Sequence, residues 1–576
     1  MLRLLKYLKP FIPLLLVAIV LLCGQAASEL ALPGYMSDIV DNGVVNKDVP
    51  YILRIGGIML LIAFLGTAAS VLVSYCSGKI SAGFCRNLRK MVFAKVESFS
   101  GAELDNFSTA SLITRTTNDI TQIQNLIFMM IRFLFFAPLM GVGGIVNALK
   151  RSASMSWIIA LAVIVIIGLV VVVFAIAMPK FKIVQKLIDR LNLVTRENLA
   201  GILVVRAFNT QNFEEKRFDK SNKDLTNTNL FINRIMVVMM PMMMLVMNLL
   251  TVLIVWVGAD YVASLQFQVG DMLAYIQYAM QIMMAFLMIS VMFIMVPRAS
   301  VSALRIAEVL EIKPIIKDPA KPEHFPSNVP TSLEFKNVSF RFPGAESDVL
   351  NNISFVAKPG EITAFIGSTG CGKSTLINLI PRFYDVTNGQ VLINGVDIRN
   401  ITLHELREKI GYVPQKATLF SGTIKSNLTY GRKDADEAEL IKAADIAQAS
   451  EFINSKPQTF DAEMAQGGVN VSGGQKQRLS IARALVKTPD IYLFDDAFSA
   501  LDYTTDAKLR QALKENVTQS IVLIVAQRID TIRNAQQIIV LDHGQIVGVG
   551  QHTDLMQNCE VYQEIALSQL SKEELA

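Results

Sequence analysis

The sequence predicts a membrane α-helical bundle of six transmembrane helices with long cytoplasmic extensions, followed by a soluble α/β domain built on a largely parallel sheet. Three observations predict it. Mean hydropathy is +0.41 with 18% charged residues over 576 positions, too apolar for a chain of soluble domains only. Runs nearly free of charge fill the chain up to about residue 300, while charged residues are interleaved normally afterwards. From Ser332 onward, short β-type runs alternate with helical ones, the pattern of an α/β domain.

The first apolar run, 11–33, follows Arg3, Lys6 and Lys9, as expected for a span entered from the cytoplasm. The small residues Ala26, Ala27 and Ser28 give it some likeness to a secretory signal, but the run is long enough to cross, since ~20 helical residues span ~30 Å of hydrocarbon. Five further spans read at 51–76, 127–149, 155–178, 236–263 and 273–296. The stretches 79–124 and 180–234 are long, charged and helical in pattern, and hold most of the Lys and Arg of this half, which places them in the cytoplasm. The first outer loop carries Asp38, Asp41 and Asp48 against Lys47, while Lys150 and Arg151 break the rule. An even number of spans returns the chain to the cytoplasm after residue 297. The expected organisation is a membrane domain at 1–310, a linker at 311–331 crowded with Pro314, Pro319, Pro322, Pro326 and Pro330, and a cytoplasmic domain at 332–576, in an inner or plasma membrane.

A net charge of +5, with basic residues beside apolar runs, implies a lipid bilayer as partner and no nucleic acid. Five scattered cysteines lack metal-ligand spacing and argue against a disulfide framework. Within the spans, Arg132 reads as nearly the only ionisable group, which argues against a small-ion pathway. Fourteen of the 25 methionines fall between Met236 and Met295. Flexible, polarizable side chains suit either gap-filling and lipid-facing positions or an adaptable cavity, with Met283, Met284 and Met288 as the residues to test.

After the apolar run 362–366 comes Gly367-Ser368-Thr369-Gly370-Cys371-Gly372-Lys373-Ser374, with Thr375 continuing into a helical run. This is a P-loop in its strand, loop and helix context. Its glycines let backbone N–H groups wrap phosphates at a helix N-terminus, where the dipole favours anions; Lys373 is expected on the β- and γ-phosphates of ATP and Ser374 on Mg2+. A second apolar strand, 491–494, ends in Asp495-Asp496, so carboxylates are expected at the carboxyl edge of the sheet, with Asp495 as the Mg2+ partner.

Between these elements lies Val471-Ser472-Gly473-Gly474-Gln475-Lys476-Gln477-Arg478, which resembles the signature sequence of ATP-binding cassette (ABC) proteins. The resemblance extends to Phe342, similar to the aromatic that stacks on adenine, and to Gln415 in Tyr412-Val413-Pro414-Gln415, similar to the Mg2+-sensing glutamine. Ser499-Ala500-Leu501-Asp502 resembles the loop that crosses the dimer interface. In the membrane half, Phe107 to Asp119 and Glu197 to Phe208 are similar to the two cytoplasmic loops of exporters, so the resemblance covers nearly the whole chain. It implies a half-transporter, two of which sandwich two ATP molecules, each held by one chain's P-loop and by Ser472, Gly473, Gly474, Gln475 and Asp502 of the other.

Two positions depart from the family pattern. The residue after Asp495, usually the glutamate that activates water, is Asp496, and the histidine expected after strand 521–525 is replaced in Ala526-Gln527-Arg528. None of the four histidines, His324, His404, His543 and His552, aligns with that role. Gln466-Gly467-Gly468 also differs from the acidic and basic pair usual before the signature. The combination resembles the degenerate-site subunit of bacterial heterodimeric multidrug exporters. It implies ATP-driven export of amphipathic small molecules with a second, non-identical half-transporter, Asp496, Gln527 and Gln415 forming an impaired catalytic group. A homodimeric lipid or peptide exporter with slow turnover, or an ATP-gated regulatory or channel-like membrane protein, are the other expectations.

Overall fold

The structure, a computed structural model, describes residue 4 and residues 6–264, 266–326 and 329–570; Arg3, linker positions 327–328 and the end of the last domain, 571–576, lie outside the described residues. It separates into two compact units: Met1–Glu97 with Thr109–Glu311, and Ser98–Ser108 with Ile312–Ala576.

In the first unit, six helices among the described residues are long and apolar enough to cross a membrane. They are α1 (Ile12–Asp38), α2 (Val49–Glu97), α3 (Ile120–Arg151), α4 (Ser156–Ala200), α5 (Gln211–Ala263) and α6 (Val269–Glu311). Several run far beyond the apolar segments, because the charged stretches that follow remain helical; α5 has 53 residues, ~80 Å at ~1.5 Å per residue. Of the methionines singled out from the sequence, Met283 is 2% exposed and packs in the bundle core, whereas Met284 and Met288 line a cavity of about 300 Å³.

Helix α1 contains Pro33, which has no backbone N–H and therefore leaves the carbonyl four residues earlier, that of Glu29, without its helical partner. Gln281 of α6 supplies the missing donor, its Nε2 lying 3.0 Å from the Glu29 carbonyl oxygen. One turn away, Tyr278 donates its hydroxyl to the Leu30 carbonyl at 3.2 Å. The helices α1 and α6 are thus joined through two backbone carbonyls of α1, that of Glu29 having been freed by the proline. This also brings out Glu29 as an acidic residue inside the first span, so the sequence reading of Arg132 as nearly the only ionisable group there is corrected.

The outer ends of the helices explain why Arg151 breaks the charge rule. Its Nη1 lies 2.5 Å from Asp271 Oδ1, with side chains 30% and 19% exposed. Ser37 donates to the same oxygen at 2.9 Å and to Asp41 Oδ2 at 3.1 Å. Asp41 in turn accepts from the Gly270 backbone N–H at 2.7 Å. Gly270 permits this approach, since a Cβ there would meet Asp41 Oδ2 and the Ser37 carbonyl at 2.5 Å. Here a cation is matched by local acids, which outweighs the usual preference for cytoplasmic placement.

The second unit contains β1 (Leu333–Phe340), β2 (Leu350–Ala357), β3 (Ile362–Gly367), β4 (Asn388–Ile393), β5 (Val396–Asp397), β6 (Ile410–Val413), β7 (Gly422–Thr423), β8 (Glu463–Met464), β9 (Ile491–Asp495), β10 (Ile521–Val525), β11 (Gln537–Asp542) and β12 (Gln545–Gly550). The main sheet has the order β12-β11-β3-β10-β9-β6, parallel except for the edge strand β12. Strands β9 and β10 read IYLFD and IVLIV and are buried at every position, as strands covered on both faces must be. A four-stranded antiparallel sheet, β2-β1-β4-β5, carries the aromatic pair Phe335 and Phe355.

The eleven residues Ser98–Ser108 are the one piece of the first 311 residues that belongs to this unit. The short helix Gly101–Leu104 starts with a capping box, Glu103 Oε2 accepting from the Ser100 N–H at 2.7 Å. Glu103 Oε1 accepts from the Ile315 N–H at 2.7 Å, Gly101 N–H donates to the Phe383 carbonyl at 3.1 Å, and Tyr384 donates to Asp105 at 2.9 Å. A Cβ at Gly101 would lie 2.4 Å from the Tyr384 ring, so this close packing requires glycine. Burial pushes the Glu103 carboxyl up, but the hydrogen bonds it accepts from Ser100 and Ile315 prevail and hold it below the usual glutamate range.

Two tests follow from these contacts. Arg151→Ala and Asp271→Asn are each expected to lower stability by about 1–3 kcal/mol, and the double variant by less than the sum, read as unfolding temperatures in a double-mutant cycle. Glu103→Gln is expected to cost about 1–2 kcal/mol at pH 7. Because its folded carboxyl is depressed, that contribution is present above the ordinary glutamate value and lost as pH falls through the lower folded one. The gap in unfolding temperature between wild type and variant should therefore shrink below about pH 4.

Candidate nucleotide site

The parallel sheet aligns the carboxyl ends of β3, β10, β9 and β6, and each delivers one part of the site. Strand β3 runs into the P-loop. Gly367 is demanded by space, since a Cβ would meet the Leu541 carbonyl oxygen at 2.0 Å. Gly372, at φ 99°, is the N-cap of α7 (Lys373–Leu379), where a side chain would be both strained and blocked by Leu350 at 2.7 Å. Ser368, Thr369 and Gly370 are exposed, Ser374 and Thr375 half-buried, and Cys371 buried. Lys373 is 9% exposed and its ammonium donates to the carbonyls of Gly367 and Ser368 at 2.8 Å each, with Cys371 Sγ at 3.6 Å.

Ser374 donates its hydroxyl to Asp495 Oδ1 at 2.7 Å, reaching across the end of β10 to the end of β9. Asp496 follows at φ 49°, a left-handed conformation that aspartate adopts more readily than most residues. Its N–H donates to the Val525 carbonyl at 3.1 Å, and Ser499 Oγ donates to its carbonyl at 2.9 Å. Asp495 and Asp496 are 4% and 6% exposed. Burial pushes both carboxyls up, opposed by the Ser374 hydrogen bond at Asp495 and the Gln415 hydrogen bond at Asp496.

The neighbouring strands then bring two amides to one oxygen. Gln415, two residues past β6, donates Nε2 to Asp496 Oδ2 at 3.1 Å. Gln527, two residues past β10, donates Nε2 to the same Oδ2 at 2.8 Å. Registers Val413↔Phe494 and Val525↔Asp495 make this meeting unavoidable. A further residue absent from the sequence reading holds the arrangement: Gln569 donates to the Gln527 carbonyl at 2.7 Å and accepts from the Ile529 N–H at 2.9 Å. Nothing local marks Gln569, which acts 42 residues from its partner.

The remaining positions lie apart from this cluster. Phe342 is half-buried and meets Phe340 and Tyr384 edge-on, with centroids 4.9 and 5.4 Å away. Ser472 caps α8 (Gly473–Val486) in a reciprocal box with Gln475, at 3.0 and 3.3 Å. Gly474 allows the helix to approach the Ala500 carbonyl, 3.2 Å from where a Cβ would lie. Asp502 caps α9 (Tyr503–Asn516) by accepting from the Thr505 N–H at 2.9 Å. Among the described residues, Ser472, Gly473, Gly474, Gln475 and Asp502 make no hydrogen bond to the P-loop, Asp495, Asp496 or Gln527.

The family model for the ABC transporter transmembrane region matches residues 15–286, and the ABC transporter model matches residues 350–499. An uncharacterized ABC transporter ATP-binding protein of Mycobacterium tuberculosis (strain CDC 1551 / Oshkosh) is 39% identical over 567 residues, covering 98% of this chain and 97% of its own. An ATP-dependent lipid A-core flippase of Pseudomonas aeruginosa is 33% identical, covering 96% of this chain and 93% of its own. The solved structure of a bacterial Atm1-family ABC exporter with ATP bound superposes with a TM-score of 0.80 at 25% identity, over 96% of this chain and 97% of that one. Matched from end to end in sequence and fold, the chain belongs to the ATP-binding cassette transporter family, as a multi-pass exporter half-transporter whose cytoplasmic ATP-binding domain drives translocation.

Proposed function

We propose that this chain is one half of a heterodimeric exporter of amphipathic small molecules, holding ATP in a site that hydrolyses slowly and lending its signature helix to the other half's site. The observation that carries this reading is the Asp496 carboxylate, one oxygen of which accepts from both Gln415 and Gln527. The two amides hold the carboxylate in place, so its other oxygen would have to reach the attacking water from a fixed position. Aspartate is also one methylene shorter than the family's glutamate, and ~1 Å of misplacement can cost ~100-fold in rate. Gln527 can donate a hydrogen bond but cannot become cationic as a histidine would.

Binding is a different matter, since the parts that would hold nucleotide and metal are in place. The exposed face of Ser368 to Gly370 presents backbone N–H groups ahead of α7, and the Lys373 ammonium is already turned into the loop. Ser374 and Asp495, joined at 2.7 Å, form a set of hard oxygen donors that fits Mg2+, with the side-chain oxygen of Gln415 as a third. Mg2+ supplies charge neutralisation at the phosphate oxygens. Phe342 would receive the adenine. Ser472, Gly473, Gly474, Gln475 and Asp502, which make no hydrogen bond to their own chain's P-loop among the described residues, would close the partner's site from outside. Coupling to the membrane helices would pass through Ser98–Ser108, which is packed on the ATP-binding unit and continuous in sequence with α2.

A second reading, a homodimeric lipid exporter with slow turnover, is favoured by the full-length likeness to the lipid A-core flippase of Pseudomonas aeruginosa. ATPase assays separate the two. The isolated chain is expected to show little activity and the chain with its partner substantial activity, most of which disappears when the partner's own catalytic glutamate is changed. Asp496→Glu combined with Gln527→His is expected to raise turnover at this chain's site by about 10- to 100-fold. Strong turnover by the unmodified chain alone would sink the slow-site reading.

A further inference from the structure

In the cavity of about 300 Å³ in the membrane unit, methionine-rich apolar walls meet a carboxylate. Phe136 and Met140 of α3 and Met280, Met284 and Met288 of α6 form its apolar lining, and Glu29 of α1 with Gln277 and Gln281 of α6 form its polar part. The volume is at the lower end of small-molecule sites, and thioethers beside a phenyl ring make a wall that adapts to flat or branched apolar groups.

The polar part offers acceptors. Gln281 cannot turn freely, because its Nε2 is committed to the Glu29 carbonyl that Pro33 left open, and a carbonyl can only accept. Its amide oxygen must therefore point the other way, and there it is buried without a hydrogen-bond partner. Glu29 receives one hydrogen bond, from Gln25 Nε2 at 3.0 Å one turn earlier in α1. No Lys or Arg forms an ion pair with it among the described residues. Arg132 of α3 stands one helical turn before the lining residue Phe136, is not itself part of the lining, and forms no ion pair with Glu29 among the described residues. A carboxylate without an ion pair among the described residues, walled by methionine and phenylalanine in a membrane-spanning bundle, is suited to a cationic occupant.

We propose that this cavity binds amphipathic organic cations, with Glu29 as the charge-selecting residue and Phe136 available for cation–π contact. The proposal deepens the exporter reading given above and rests on it. It excludes anionic phosphate-bearing lipids as preferred occupants of this cavity, since the described lining carries a carboxylate and no positive charge.

Tetraphenylphosphonium and tetraphenylborate have nearly the same shape and opposite charge, so their comparison isolates the charge. Binding of each, and of a neutral tetraphenyl analogue, to the full-length chain in lipid nanodiscs is expected to favour the cation over the anion by at least about tenfold. Glu29→Gln is expected to abolish that preference by weakening the cation while keeping or improving the anion, a pattern that a misfolded variant, binding neither, cannot produce. Gln277→Lys provides an independent arm: a positive charge on the cavity wall should weaken the cation and strengthen the anion by about tenfold each. Equal binding of all three probes by the wild type, an unchanged cation preference in Glu29→Gln, or no effect of Gln277→Lys would each overturn the proposal. Failure of every probe, charged or neutral, to bind while ATP is still bound would instead overturn the reading as an exporter of amphipathic molecules.

Discussion

The parallel alignment of β6, β9, β10 and β3 is the constraint on which the ATP-binding unit depends. Because these strands run the same way, their carboxyl ends emerge side by side, and residues far apart in the chain meet without any further device. Ser374 finds Asp495 over a separation of 121 residues, and Gln415 finds Asp496 over 81. Since β10 lies between β3 and β9, whatever follows it must stand beside the acidic pair. A histidine there would contribute a titratable ring; glutamine contributes an amide, which satisfies the carboxylate and keeps it still. Asp496, Gln415 and Gln527 thus form one well-ordered hydrogen-bonded cluster at the carboxyl edge of an intact sheet.

The membrane unit has its own constraint in Pro33. By withholding one N–H, this residue opens the Glu29 carbonyl, recruits Gln281 from α6, and thereby fixes the orientation of that amide. A helix irregularity that would cost energy alone is offset by the neighbouring helix. Toward the outer end, Arg151, Asp271, Ser37 and Asp41 form a second polar network, so α1, α3 and α6 are joined at two levels. Both levels rely on side chains that hydropathy alone would count as exceptions.

Much of the fold was legible because its signals are contiguous. Six long apolar runs, the P-loop and the signature each occupy one short stretch, and their physical meaning is complete within it. The functional detail was less legible where one residue carries it. Glu29 disappears in a hydropathy average dominated by its leucines and alanines, although Pro33 four residues later marks the turn of α1 that has to find an outside partner. Met283 and Met284 are adjacent in sequence and differ in role, since one helical step of ~100° moves a side chain from the bundle core to the cavity wall. The segment Ser98–Ser108 reads as part of a membrane-domain extension, yet its capping box and Gly101 fit it to Phe383, Tyr384 and Ile315 of the ATP-binding unit, to which it belongs.

The sequence by itself determined the class of machine: how many times the chain crosses the membrane, where ATP would be held, and that two residues of the hydrolytic pathway are replaced, since each depends on local composition or on a contiguous motif. Tertiary structure alone decided what those residues touch and what lines the membrane cavity. The amides bound to Asp496 come from strands on either side of β9, and the polar groups beside the cavity come from two helices about 250 residues apart, so their chemistry exists only once the sheet and the bundle bring them together.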